Sequence, residues 1–285
     1  MKRTALVLEG GSLRCFFSCG VTDFLVKEQI HFDGIFGVSS GALTGVNLAA
    51  NQPGRTAEIN LTFVNDKRYL GVRNLILHHS IFNFDFLFGE VSSTLIPFDY
   101  EAFESSPTYF CAVATDCRTG TPLYFDKENC GDIFAALRAS ASMPLLAPMV
   151  SVDGIPCLDG GVSVSIPYQK ALDEGYEKII IVTTREHGYR KEPISPAMSK
   201  IYLRAYRKYP QLVRAILNVP RRYGKELDEI DRLEAQGRVF VIRPPKPVTV
   251  SRTEKDTEKL RALYREGEET MQQQLSKLRD YLGEE

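Results

Sequence analysis

Short apolar runs alternate with segments of helical period along the first half of the chain. Ala5-Leu6-Val7-Leu8 is an unbroken apolar run, as in a strand covered on both faces. Past the glycines at 10 and 11, Leu13, Phe16, Phe17, Gly20, Val21, Phe24 and Leu25 recur at helical spacing, and Lys27 and Glu28 close the segment. A second strand-turn-helix unit is expected from Ile35-Phe36-Gly37-Val38 and a helix from Ser40 to Ala50, stopped by Asn51, Pro53 and Gly54. Further strands are expected over Thr108 to Ala114, Leu123 to Phe125, Lys178 to Thr183 and Arg238 to Ile242. After about residue 190 helix formers dominate, with helices expected over Ile201 to Leu217, where Pro210 breaks or kinks the pattern, over Lys225 to Gln236, and over Glu254 to Tyr281. The alternation predicts an α/β fold, a three-layer α/β/α sandwich on a mostly parallel sheet. Residues 1–190 form its expected catalytic core. Residues 191–285 form a helical C-terminal addition packed on the same domain, because the strand at 238–242 interrupts the added helices.

Composition narrows the classes. With 285 residues, 44% hydrophobic and 25% charged, the chain is long enough for a substantial core. Thirty-five basic residues against thirty-six acidic give a net charge of -1, so no nucleic-acid partner is expected. The cysteines at 15, 19, 111, 117, 130 and 157 form no C-x-x-C pair, which fits a reduced, cytoplasmic protein. Met1-Lys2-Arg3 opens like a signal peptide, but Glu9-Gly10-Gly11 halts the apolar run too early. No apolar stretch is long enough for a transmembrane helix. The adjacent His78 and His79 do not converge on one ion, and neither metal nor organic cofactor is expected.

Three segments carry candidate chemistry. Gly37-Val38-Ser39-Ser40-Gly41 is a G-x-S-x-G sequence between an apolar strand and a small-residue helix. A sharp turn there lifts the serine hydroxyl to the carboxyl end of the sheet, and Gly37 and Gly41 remove the β-carbons that would block it. Glu9-Gly10-Gly11-Ser12-Leu13-Arg14 lies at the preceding strand-to-helix turn. Its small residues leave backbone N–H groups facing a concavity that suits a phosphate or the oxyanion of an acyl transfer. It lacks both the G-K-[ST] of a P-loop and the spacing of G-x-G-x-x-G. Leu158-Asp159-Gly160-Gly161 ends an apolar-leaning stretch; it reads as a turn, or as a carboxylate at a strand tip where Gly160 and Gly161 admit other backbone. Partial burial would raise the pKa of such a carboxylate and improve it as a base.

Taken together, the glycine loop with Arg14, the serine turn and the Asp-Gly-Gly resemble the bacterial patatin-like phospholipases, a family of lipid-degrading hydrolases. The resemblance extends to Ala139-Ser140-Ala141-Ser142-Met143-Pro144 and to Val182-Thr183-Thr184-Arg185 and Gly188-Tyr189-Arg190, spanning about residues 4–190. It implies Ser39 as nucleophile, Asp159 as its only catalytic partner, and Gly10, Gly11, Ser12, Leu13 and Arg14 as the oxyanion hole. A phospholipase, lysophospholipase or esterase acting through a Ser39-Asp159 dyad and a covalent acyl-enzyme is therefore expected, with a lipid or acyl ester as substrate. Ser12 stands where the family's loop has its third glycine, and Cys15 where a glycine follows the arginine.

Two alternatives stay open. Ser39, Asp159 and His187 occur in the chain order of an α/β-hydrolase triad. A non-catalytic lipid-binding relative with an impaired loop would account for Ser12 and Cys15. The stretch Leu75 to Leu95, with Ile81, Phe82, Phe84, Phe86, Leu87 and Phe88, suits an acyl-chain pocket, a lid or plain core. Residues 190–225 carry ten bases against the single acid Glu192, interleaved with Ile201, Leu203, Leu212, Val213, Ile216 and Leu217 and with Tyr202, Tyr206 and Tyr209. This basic amphipathic stretch suits peripheral contact with an anionic membrane, or a solvated face paired with acids elsewhere.

Overall fold

A computed structural model describes residues 3–77 and 79–283; His78, like Met1, Lys2, Glu284 and Glu285, lies outside the described residues. The strands are β1 (Thr4–Leu8), β2 (Gly34–Val38), β3 (Tyr109–Asp116), β4 (Pro122–Phe125), β5 (Val150–Val152), β6 (Ile155–Asp159), β7 (Lys178–Val182) and β8 (Phe240–Ile242). Between and after them run α1 (Cys15–Lys27), α2 (Ser40–Ala49), α3 (Arg55–Phe63), α4 (Val72–Leu77), α5 (Phe84–Phe86) and α6 (Tyr100–Ser105). Then come α7 (Ile133–Ser140), α8 (Tyr168–Asp173), α9 (Pro196–Ala205), α10 (Pro210–Ala235) and α11 (Thr257–Leu282).

The strands join one sheet in the order β5-β6-β3-β2-β1-β7-β8, with β4 also paired to β3. From β3 to β8 the pairing is parallel, and β4, β5 and β6 add antiparallel partners at the β3 side. Period-two alternation sorts the side chains of β1 to the two faces. Leu6 and Leu8 join Phe16, Val21, Val46 and Met271 in a core beneath α1, α2 and α11. Ala5 and Val7 join Ala171, Tyr223, Ile230 and Leu233 beneath α8 and α10. Two helical layers therefore enclose the sheet, an α/β/α sandwich with a C-terminal helical extension.

The extension uses both faces. β8 continues the parallel sheet beside β7, with Val241 opposite Ile181. α11 crosses α1 where each presents a glycine: a β-carbon on Gly20 would lie 2.0 Å from the Tyr264 carbonyl oxygen, and one on Gly267 would lie 2.2 Å from that of Phe17. Pro210 falls at the first turn of α10, where its missing N–H costs nothing, so the expected kinked helix is two separate helices. The hairpin β5-β6 was not expected from the sequence; its first strand has only three residues, and Pro156 interrupts the second. Leu212, Val213 and Ile216 of α10 are buried and hence unavailable as an interfacial face, whereas α9 buries no residue and exposes Ile201 and Leu203.

Candidate active site

Strand register assembles the site. Leu8 pairs with Gly37, so the loop after β1 and the turn after β2 emerge side by side at the carboxyl end of the sheet. Val38 pairs with Val113, and the next residue of β3, Ala114, pairs with Asp159. One strand thus separates Ser39 from Asp159. The glycines close the gap: a β-carbon on Gly160 would sit 2.2 Å from the Val113 carbonyl oxygen and 3.2 Å from Val38 Cγ1, and one on Gly41 would sit 2.4 Å from the Leu8 carbonyl oxygen.

Ser39 has φ 56 and ψ -124, a conformation that costs a non-glycine residue about 1–3 kcal/mol. Surrounding bonds hold it there. Its N–H donates to the buried Ser140 Oγ at 2.8 Å, and α2 starts at the next residue, directing the positive end of its dipole toward the turn. Ser142, from the same segment, accepts the Asp159 N–H with its carbonyl at 2.8 Å, while the Thr115 hydroxyl donates to the Asp159 carbonyl at 2.9 Å. One Ala-Ser-Ala-Ser stretch, at the end of α7 and just past it, therefore fixes the backbone of both candidate residues.

The Asp159 carboxyl is buried, which pushes its pKa up from 3.8 to about 6. Hydrogen bonds from the Gly161 N–H, at 2.7 Å, and from the Ser39 side chain act the other way, as do the charges of Arg252 and Lys191. A carboxylate so poised accepts a proton more readily than a solvated one and remains ionised at neutral pH.

The loop at Gly10 to Arg14 differs from the expectation in one donor. The Gly11 N–H is already engaged by Ser40 Oγ at 2.9 Å. Ser12 and Leu13 open a single 3-10 turn, whose first N–H groups have no acceptor within it. With the N–H of Gly10 they make no hydrogen bond among the described residues. Ser12 has φ 52, the left-handed region where glycine is at ease, and its hydroxyl donates to the Arg252 carbonyl at 2.7 Å. Arg14 is buried, with Nε lacking a partner, and burial is the main cause that lowers its pKa to about 10. Cys15 is buried at the start of α1.

Two hollows meet at Ser39. One, of about 80 Å³, is mostly apolar, and its walls include Leu43, Val46, Phe82, Phe84, Leu87 and Phe88. The stretch expected to form pocket, lid or core thus supplies Phe82, Phe84, Leu87, Phe88 and Ser92 to this wall, while Phe86 packs at right angles on Phe63, their ring centres 5.5 Å apart. The other is a cleft of about 510 Å³, which takes in Asp159, the glycine loop and several basic side chains.

His187 stays outside this arrangement. Its side chain is largely exposed, pairs with Asp231 at 3.4 Å and lines neither hollow, contrary to the triad alternative. Among the described residues no cluster of three or more His, Cys, Asp or Glu side chains has the makings of a metal site, and no helix is long and apolar enough to cross a membrane.

Residues 6–172 match the family described as Patatin-like phospholipase, which is more than half of the chain. The chain belongs to the patatin-like phospholipase family. Its residues 209–283 match a domain of unknown function, DUF6363. This patatin-like protein is 28% identical over 255 residues to the Escherichia coli protein YjjU, itself described as uncharacterized, covering 86% of this chain and 70% of that one. An uncharacterized NTE family protein of Mycobacterium tuberculosis is 32% identical over 172 residues, covering 58% of this chain and 44% of its own length. Among solved structures, VipD from Legionella pneumophila shares the fold, with a TM-score of 0.53 at 11% identity, covering 97% of this chain and 67% of that one.

Proposed function

We propose that this patatin-like protein is a serine acyl hydrolase acting on lipid esters through Ser39 and Asp159. The observation that carries the reading is the strained Ser39 standing between an apolar hollow and a polar cleft, with the buried Asp159 carboxylate on the cleft side. The Ser39 hydroxyl attacks the ester carbonyl as Asp159 takes its proton, and the oxyanion receives hydrogen bonds from the N–H groups of Gly10, Ser12 and Leu13. The carbonyl then re-forms, the ester C–O bond breaks, and the alcohol leaves with the proton from Asp159. Water attacks the acyl-Ser39 ester by the same route, releasing the carboxylic acid and restoring both residues. Every step is acid-base and nucleophilic chemistry that these side chains supply themselves.

The apolar hollow suits the acyl chain, since burying each methylene contributes about 0.8 kcal/mol. α9 supports a peripheral membrane contact: Ile201 and Leu203 are exposed beside Lys200, Arg204, Arg207 and Lys208, an arrangement that suits an anionic bilayer.

The test is hydrolysis of an ester panel by wild type and Ser39→Ala. Ser39→Ala should fold normally and lose at least 10³-fold in kcat/KM, of the order by which triad nucleophiles act. Full activity in Ser39→Ala would refute it.

A further inference from the structure

Three residues on one face of α10 reach the two loops that hold the candidate catalytic groups. Arg222 Nη2 donates to the carbonyls of Gly161, at 3.3 Å, and Val162, at 2.5 Å, in the turn that follows Asp159. Glu226, one helical turn further on, accepts the Ser165 N–H at 3.2 Å and lies 3.5 Å from Arg222 Nε. Between them Tyr223 is fully buried and donates its hydroxyl to Glu9 Oε1 at 2.8 Å, while Glu9 Oε2 accepts the Thr184 N–H at 2.6 Å. Lys191 completes the group, its ammonium 3.9 Å from the centre of the Tyr223 ring and 3.3 Å from Ser165 Oγ.

Gly161, Val162, Ser165 and Glu9 stand on the wall of the cleft beside Ser39, whereas Arg222, Tyr223 and Glu226 line neither hollow. The helix therefore holds the wall from outside the space a substrate would fill. Its attachment has apolar supports of its own, Leu212 and Ile216 toward one end and Leu227, Ile230 and Leu233 toward the other. The polar group between them is costly. Burial pushes the Glu226 carboxyl up to about 7 although Arg222 and Lys191 act against it, and pushes the Lys191 ammonium down to about 8 although Glu9 and Glu226 act against that. A buried charge group of this kind is a weak stabiliser beside an apolar replacement; its contribution is a fixed geometry.

We propose that α10, within the segment of unknown function at residues 209–283, positions both candidate catalytic loops: Arg222 and Glu226 fix the Asp159 turn, and Tyr223 fixes the start of the glycine loop through Glu9. The inference rests on the acyl-hydrolase reading, and all three are positioning residues that act through atoms nearer the substrate. The link to Asp159 is short. Gly161 donates its N–H to the Asp159 carboxylate at 2.7 Å and gives its carbonyl to Arg222, so the arginine holds the residue that orients the base. On the other side Glu9 precedes Gly10, whose N–H is one of the proposed oxyanion donors. One turn of one helix thereby sets the separation of two loops from different strands, and a misplacement of about 1 Å at a reacting group costs about 10²-fold in rate. The charges on the cleft wall around Asp159 are Lys191 and Arg252, which favour its ionised form, with Glu9, Arg14, Arg185 and Glu192.

The experiment follows hydrolysis of 4-nitrophenyl butyrate from about pH 5 to 9 by wild type, Arg222→Gln, Arg222→Lys and Tyr223→Phe. Arg222→Gln is expected to lose about tenfold or more in kcat, with KM within about twofold of wild type. The acid limb of its kcat/KM profile should move up by about half a pH unit or more, because a loosened Gly161 N–H no longer favours the Asp159 carboxylate. Arg222→Lys, which still donates to a carbonyl, should recover part of both. Tyr223→Phe should lower kcat and leave the acid limb in place, since the bond it removes is to Glu9. A folded Arg222→Gln with wild-type kcat and acid limb, or a loss confined to KM, overturns the proposal. Amide hydrogen exchange supplies an arm that needs no turnover: exchange over residues 161–165 should quicken about tenfold or more in Arg222→Gln. If wild type hydrolyses no ester, the hydrolase reading fails while this arm still decides whether α10 braces the turn, and unchanged exchange overturns that. Faster exchange with unchanged kcat and pH profile overturns the positioning role. If melting curves show that Arg222→Gln does not fold, Tyr223→Phe decides, since it removes one oxygen only; wild-type kcat there overturns the proposal.

Discussion

Asp159 illustrates how a residue suited to chemistry is ill suited to stability. Its folded pKa of about 6 lies above the ordinary 3.8 because burial disfavours the charged form. A raised carboxyl pKa stabilises the fold below the unfolded value, and that stabilisation is lost as pH rises through the folded value. At neutral pH the ionised group therefore costs about 3 kcal/mol. Asp159→Asn keeps an oxygen for the Gly161 N–H without the charge. It should raise stability toward denaturant by about that amount at pH 7.5 and by almost nothing near pH 4. Activity should move oppositely, falling 10²- to 10⁴-fold with loss of the proposed general base, while wild-type kcat/KM should fall as pH drops below about 6. Denaturant curves and a pH-rate profile check both. The G-x-S-x-G and Asp-Gly-Gly segments were legible because their geometry is local. Thr115 and Lys191 were not, since each reaches the site through tertiary packing from a distant part of the chain, and the segment of Ser140 stood out by family resemblance alone, its bond to Ser39 being tertiary.

Elements show the same division. The strands of the parallel sheet announced themselves as apolar runs because both faces are covered, and Ile179 to Val182 is fully enclosed. The β5-β6 hairpin that delivers Asp159 is too short, and too interrupted by proline, to leave such a trace. The crossing of α1 and α11 also lies beyond sequence reading, because it depends on two glycines far apart meeting backbone to backbone. Gly267→Ala would place a methyl group 2.2 Å from the Phe17 carbonyl oxygen, forcing the helices apart. A loss of about 1–3 kcal/mol is expected from such overpacking, read as a lower denaturation midpoint, with the hydrolytic site retained in the protein that remains folded. An unchanged midpoint would mean that the two helices can separate freely.

At the scale of the whole molecule, near-neutral net charge conceals a basic region after residue 190. Folding divides that region. Arg190 and Arg222 pair with Asp228 and Glu226, and the apolar side of α10 turns inward, while α9 keeps Ile201, Leu203, Lys200 and Arg204 in solvent. Sedimentation with vesicles should show binding that rises with anionic lipid and weakens with salt. It should drop in Ile201→Ser with Leu203→Ser, and again when Arg204, Arg207, Lys208 and Arg214 become Gln. Equal binding by all three proteins would remove α9 as a docking face and leave the catalytic account untouched. The proposed chemistry turns on a single atom, Ser39 Oγ, at the junction of the two hollows. The most direct measurement is intact mass and peptide mapping after treatment with a fluorophosphonate. One adduct per chain, on Ser39 and absent from Ser39→Ala, is the predicted result; no adduct, or an adduct carried by Ser40, would contradict it.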